Sequence, residues 1–237
     1  MNMGKLYKSK RKTYPDGSYT IYVYKNPMVI SNLEEDGSGA GAGIKTEEDI
    51  ESDREHSRFM NLIRTKTKIK DYCLSNDFNY FWTLTFAADR HEDASAFERM
   101  GKWLISMKRK YGKFNYIFIP ERHADGAIHF HGVTGGFKGN IVDSGVKHKG
   151  KKVYNCTDWK YGFSTLSRIR DKKKCATYIT KYVTKDLSQD VVGKGKKKYW
   201  CSRGLRLPDI EYNGFDLSLG LEPDYENDVC CIYNFDV

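Results

Sequence analysis

The segment from Asn115 to Val133 reads NYIFIPERHADGAIHFHGV, two short apolar runs on either side of Ala124-Asp125-Gly126. Runs of this kind, separated by a few turn residues with a glycine, read as an antiparallel hairpin. His129 and His131 sit two apart on the second run, so both imidazoles project from one face of the strand. Two imidazoles on a rigid strand bracket a point as metal ligands do. The loop length decides what joins them. A two-residue loop at Asp125-Gly126 would set Glu121 opposite Phe130, on the wrong face. A three-residue loop at 124–126 sets His123 opposite Ala127 and Glu121 directly across from His129. Three-residue loops with glycine in the left-handed position are a favoured hairpin form. The expectation is therefore that loop, with a metal triad of Glu121, His129 and His131. His123 shares the face, as a fourth ligand, a phosphate contact or an exposed turn histidine.

Working outward, Tyr80-Phe-Trp-Thr-Leu-Thr-Phe86 is a continuous apolar run suited to a central strand. Between 94 and 111, Phe97, Met100, Trp103, Leu104 and Met107 recur at helical spacing. Residues 136–155 read as a basic loop rich in Gly and Lys, 159–163 as an edge strand, and 171–187 as a helix. Upstream, 11–14 and the alternating 19–24 flank a Pro15-Asp16-Gly17 turn, another hairpin. The stretch 37–43 (GSGAGAG) is a linker, and 46–74 is charged with helical periodicity. Strands and helices mix without a βαβ rhythm, which predicts an α+β fold around a mostly antiparallel sheet flanked by helices. The expected organisation is an N-terminal hairpin and linker (1–45), a main domain (46–205, its motifs within 80–187) and an acidic C-terminal segment (206–237).

The helix at 171–187 carries Tyr178-Ile-Thr-Lys181-Tyr182-Val-Thr-Lys185. Positions i, i+3, i+4 and i+7 share a helical face. Two phenols and two ammonium groups therefore lie together, while Ala176, Ile179, Val183 and Leu187 are left for the core. A phenol with a pKa of about 10 is only about 0.1% ionised at pH 7, so it needs help to act as a nucleophile. A lysine favours the phenolate or neutralises charge developing on a phosphate.

The net charge of +9 conceals a division. Residues 207–237 hold eight acids and no Lys or Arg, so residues 1–206 carry all 40 basic side chains against 23 acidic ones. Such a body suits a polyanion. Basic elements positioned to bind one are Lys108-Arg109-Lys110, the 147–152 loop with Lys149, Lys151 and Lys152, then Arg168 and Arg170, and 194–198 with Lys196, Lys197 and Lys198. Tyr199 follows as a candidate stacking residue for unpaired bases, whereas Trp200 reads better as an anchor to the core. The six cysteines show no C-x-x-C spacing, so reduced thiols and a cytoplasmic setting are expected. No apolar run of about 18 residues is present, so no membrane partner is expected.

Taken in order, Phe81-Trp-Thr-Leu-Thr-Phe86, Ile128-His-Phe-His-Gly132 and Tyr178-Ile-Thr-Lys-Tyr182 resemble the three motifs of HUH endonucleases. The order, histidines before tyrosines, is most similar to the rolling-circle replication initiators (Rep proteins) of phages and plasmids, of the two-tyrosine type. The resemblance covers 80–187. It implies a central antiparallel sheet carrying the histidines, an architecture related to the RNA-recognition motif, with the tyrosine helix against it. It also implies Mg²⁺ or Mn²⁺, single-stranded or hairpin origin DNA as substrate, and a 5′-phosphotyrosine intermediate. For a phage-encoded protein the setting is the host cytoplasm. Within these residues no G-x-x-x-x-G-K-[ST] segment occurs, so no nucleotide cofactor is expected and a host helicase and replication machinery would unwind the template. The competing reading is a non-catalytic module that binds single-stranded DNA or RNA on the same sheet.

Overall fold

In the computed structural model, the described residues are 6–30, 47–89, 91–188, 198–214 and 219–237. The linker at 37–43 and Lys194 to Lys197 lie outside them, as does the side chain of Lys185. In chain order the first elements are β1 (Leu6–Thr13), β2 (Tyr19–Val29), α1 (Glu47–Ser75), β3 (Tyr80–Thr85) and α2 (Asp93–Tyr111). Next come β4 (Asn115–Arg122), β5 (Ile128–Gly135), β6 (Ile141–His148), β7 (Lys151–Cys156), β8 (Ser164–Arg168) and α3 (Lys172–Ser188). The chain closes with β9 (Trp200–Cys201), β10 (Asp209–Asn213), β11 (Tyr225–Glu226) and β12 (Cys230–Phe235). All strand pairings are antiparallel, and the fold is α+β, as the sequence predicts. Among the described residues no helix is long and apolar enough to cross a membrane.

The chain divides into two compact units, Arg58–Arg206 and a second built from Met1–Ser57 with Leu207–Val237. In the smaller unit five strands lie in the order β10-β1-β2-β12-β11. Its hairpin turns at Gly17, whose φ of 85° suits glycine, and β2 then pairs with β12 from Tyr19↔Phe235 to Tyr24↔Cys230. The acidic segment thus supplies three strands to the sheet begun by the N-terminal hairpin.

The larger unit is a seven-stranded sheet, β6-β7-β8-β3-β5-β4-β9. One face is an aromatic core: Trp82, Leu84, Phe118, Phe130 and Leu166 from the strands meet Met100, Trp103, Leu104 and Met107 of α2, all buried. Trp82 and Trp103 lie edge to face at 5.8 Å, a preferred aromatic geometry. Trp200 packs on Phe97 and Phe130, the anchoring role read from the sequence. On the opposite face α3 packs against β4 and β5, with Ala176, Ile179 and Val183 buried. α2 and α3 therefore lie on opposite sides of the sheet.

Two local readings are corrected. Residues 136–155 are no loop: most of that stretch is the β6–β7 hairpin. Its turn uses Lys149 (φ 49°) and Gly150 (φ 74°), two positive-φ residues between the paired His148 and Lys151, as a type I′ turn requires. Both strands are largely exposed, so no apolar alternation announces them. The expected edge strand at 159–163 is irregular, and the strand starts at Ser164. Trp159 turns into the core, 4% exposed, and donates its indole N–H to the Thr85 carbonyl at 2.9 Å. Gly162 presses so close to that carbonyl that a Cβ would lie 2.4 Å from it.

Candidate metal centre and tyrosine face

The β4–β5 hairpin turns through Ala124-Asp125-Gly126. The His123 N–H donates to the Ala127 carbonyl at 2.9 Å, and Gly126 takes φ 84°. The register is Glu121↔His129 and Ile119↔His131, so Glu121, His129 and His131 share one face, the face that α3 covers at β4 and β5. Gly132, next in the chain, faces the other way, where a Cβ would lie 2.2 Å from the Phe118 ring.

Side-chain contacts on that face run diagonally rather than straight across. Glu121 Oε2 lies 2.7 Å from His131 Nε2 and 4.0 Å from His123 Nε2. These three residues form the cluster that could hold a metal ion, their ligand atoms all within 4.8 Å of one another. His129, expected as a ligand, stacks instead on His123, ring centroids 3.7 Å apart. Residues directly opposite in a pair are about 5 Å apart at Cβ, and diagonal neighbours are in reach of long side chains. Glu121 leans toward His131 and His123 toward His129, so the turn histidine enters the cluster in place of the strand one. Burial, together with the neighbouring His123 and His131, lowers the His129 pKa to about 4. Its imidazole is thus neutral near pH 7, the form that can ligate a metal. The donor set, one buried carboxylate with two imidazoles, suits a divalent ion that accepts both oxygen and nitrogen.

Behind the cluster, Thr83 Oγ1 lies 3.1 Å from His131 Nδ1. A hydroxyl accepting from Nδ1–H fixes the ring so that Nε2 presents its lone pair to the cluster. Thr83 is paired with His131 across β3 and β5, and sequence reasoning does not single it out. A signal for it exists: it occupies a same-face position in the β3 run.

α3 closes the site. The Tyr182 ring stacks on His131 at 3.7 Å and 11°, and the Tyr178 ring meets Tyr182 edge-on at 5.4 Å and Phe81 at 5.2 Å. Tyr182 is 8% exposed and Tyr178 48%. Burial raises the Tyr182 pKa far above its ordinary value, and its hydrogen bond with Tyr178 and the nearby Glu121 act in the same direction. The Tyr182 O–H therefore stays protonated and available to donate to the Tyr178 oxygen. The Lys181 ammonium lies 5.8 Å from the centre of the Tyr178 ring.

The remaining sequence candidates scatter. Lys108, Arg109 and Lys110 end α2, across the sheet from the tyrosines, and Lys110 is held by Asp158 at 2.9 Å. Arg168 lies over the Tyr80 and Tyr154 rings, paired with core-facing Tyr80. Arg170 is exposed before α3. Lys149, Lys151 and Lys152 belong to the β6–β7 hairpin, with Lys152 bonded to Asp143 at 2.8 Å. Lys198 and Tyr199 precede β9, and burial raises the Tyr199 pKa to about 12. Lys196 and Lys197 lie outside the described residues.

Fold and site together define an α+β protein whose antiparallel sheet presents a carboxylate–imidazole cluster to a helix bearing two tyrosines. Residues 79–187, the segment that holds β3, β4, β5 and nearly all of α3, match the family model described as replication-associated protein ORF2. That match supports a role in replication, with DNA as the partner. No curated protein and no solved structure matches the chain.

Proposed function

We propose that the chain is a replication initiator that nicks single-stranded origin DNA through a tyrosine nucleophile and rejoins the ends in rolling-circle replication, with unwinding left to a host helicase. The observation that carries this reading is the stacking of Tyr182 on His131, which sets the two phenols of α3 beside the cluster. Glu121, His131 and His123 hold the ion, with His129 beside them. Bound there, Mg²⁺ or Mn²⁺ supplies polarisation of a phosphoryl oxygen of the substrate.

Tyr178 is the phenol that a strand arriving from solvent meets, and it makes the first attack. The neutral Tyr182 hydroxyl donates a hydrogen bond to the Tyr178 oxygen, which favours charge developing there. Lys181 adds a positive charge on the same side. As the Tyr178 oxygen bonds to phosphorus, the bond from phosphorus to the 3′ oxygen breaks. The phenolic proton is released, and the leaving oxygen ends as a free 3′-OH. The 5′ phosphate stays on the enzyme as phosphotyrosine. One phosphodiester replaces another, so the reverse attack by a 3′-OH reseals the strand without ATP. Tyr182 is placed for a second exchange while the first link persists.

The test is incubation of the protein and Mn²⁺ with single-stranded oligonucleotides from its own replicon, followed by denaturing electrophoresis and mapping of the linked peptide. A covalent species carried on Tyr178 is expected, absent in Tyr178→Phe. If no oligonucleotide yields an adduct, the chain is a binding module rather than an enzyme.

A further inference from the structure

α3 covers the functional face of the larger sheet only at β4 and β5. Beyond it, over β3, β8 and the β6–β7 hairpin, lies a cavity of about 510 Å³. Its floor continues the face of the cluster. Thr165 pairs with Thr83 and Ser167 with Phe81, and Thr83 pairs with His131; directly paired residues share a face. Two residues belong to both places: Phe81 lines the cavity and touches Tyr178, and Thr83 lines it and touches His131. The cavity therefore begins where the tyrosine site ends.

Its chemistry selects an occupant. One wall is the Phe81 ring, the floor carries the Thr83, Thr165 and Ser167 hydroxyls, and the hairpin brings Lys149 and Lys151. No acidic residue lines it. Lys152 is engaged by Asp143, whereas no ion pair holds Lys149 or Lys151 among the described residues. An aromatic ring, fixed hydroxyls and ammonium groups on a hairpin are the parts that stack a base, bond its edge and neutralise its phosphate. The volume falls within the roughly 300–1,000 Å³ of sites for small ligands, room for a nucleotide and not for a duplex.

We propose that this cavity takes one unpaired nucleotide of the substrate strand adjoining the nicked phosphate, and that Thr165 and Ser167 read its base. The inference rests on the reading of the chain as a protein that handles single-stranded DNA, and it adds the place where sequence is recognised. Because the hydroxyls project from paired strands, they are fixed before the strand arrives and favour the base whose edge complements them.

The test needs no nicking. The full chain without metal is used to enrich a library of single-stranded DNA with a randomised segment, and the bound pool is sequenced. Wild type is expected to enrich one position on the order of tenfold for a particular base. Thr165→Val with Ser167→Ala should abolish that preference while enrichment elsewhere in the motif persists. Lys149→Gln with Lys151→Gln should lower the slope of log affinity against log salt by about 0.7 for each phosphate that no longer meets a lysine. Circular dichroism of each variant establishes that the fold is kept. An identical enriched motif in the Thr165/Ser167 variant and an unchanged salt slope in the lysine variant would overturn the proposal. Adduct formation on the enriched oligonucleotides with Mn²⁺ is scored separately. A preference that disappears on substitution, without any adduct, would retain the pocket and discard the nicking reaction.

Discussion

Four side chains carry the proposed chemistry, and each has a distinguishable failure. Tyr178→Phe removes the exposed phenol and is expected to abolish the covalent adduct. Tyr182→Phe keeps the nucleophile but loses the hydrogen bond to it, so single-turnover adduct formation should slow about 10- to 100-fold without disappearing. Thr83→Val leaves His131 without its partner at Nδ1. Mn²⁺ affinity measured by calorimetry should fall about 10- to 100-fold, and Thr83→Ser should restore it. Gly132→Ala forces a methyl into the Phe118 ring, an overpacking that costs about 1–3 kcal/mol, readable in a denaturant melt. At this scale the sequence was legible where spacing alone sets direction: Glu121 and His131 fall on one face because strands alternate with period two. It was not legible where side chains lean. The diagonal contacts that bring His123 to Glu121 and stack His129 on His123 depend on rotamers that no spacing rule contains.

Elements explain why some of the architecture could be read and some could not. The turn at Gly126 fixed the β4–β5 register because its glycine suits only certain loop lengths, and the helix of α3 was visible in its apolar repeat. The β6–β7 hairpin was invisible because it is exposed on both strands and carries its turn on a lysine and a glycine. The position of Lys108, Arg109 and Lys110 depended on which face α2 covers, and a helix gives its buried side but not the side of the sheet it meets. The register argument makes its own prediction. Inserting one glycine between Asp125 and Gly126 lengthens the loop without touching a ligand. If the longer loop shifts the pairing by one residue, Glu121 moves to the opposite face. Mn²⁺ binding should then vanish while far-ultraviolet dichroism changes little. A variant that binds Mn²⁺ as wild type does would mean that the loop absorbs the insertion.

For the whole molecule, the consequence lies in how the smaller sheet is put together. The site sits on a continuous stretch of chain, whereas Tyr24 finds Cys230 across all of it. At about 5–20 residues per second, a ribosome that has delivered the first hairpin needs about ten to forty seconds to deliver its partner strand. Throughout that wait β2 has an open edge, a template for pairing with a neighbouring chain. Ending the chain at Arg206 makes the wait permanent: the truncated protein should bind Mn²⁺ with wild-type affinity yet elute as larger species in size-exclusion chromatography. The last strand translated thus works as a completion signal, closing an edge that every unfinished copy leaves available to its neighbours.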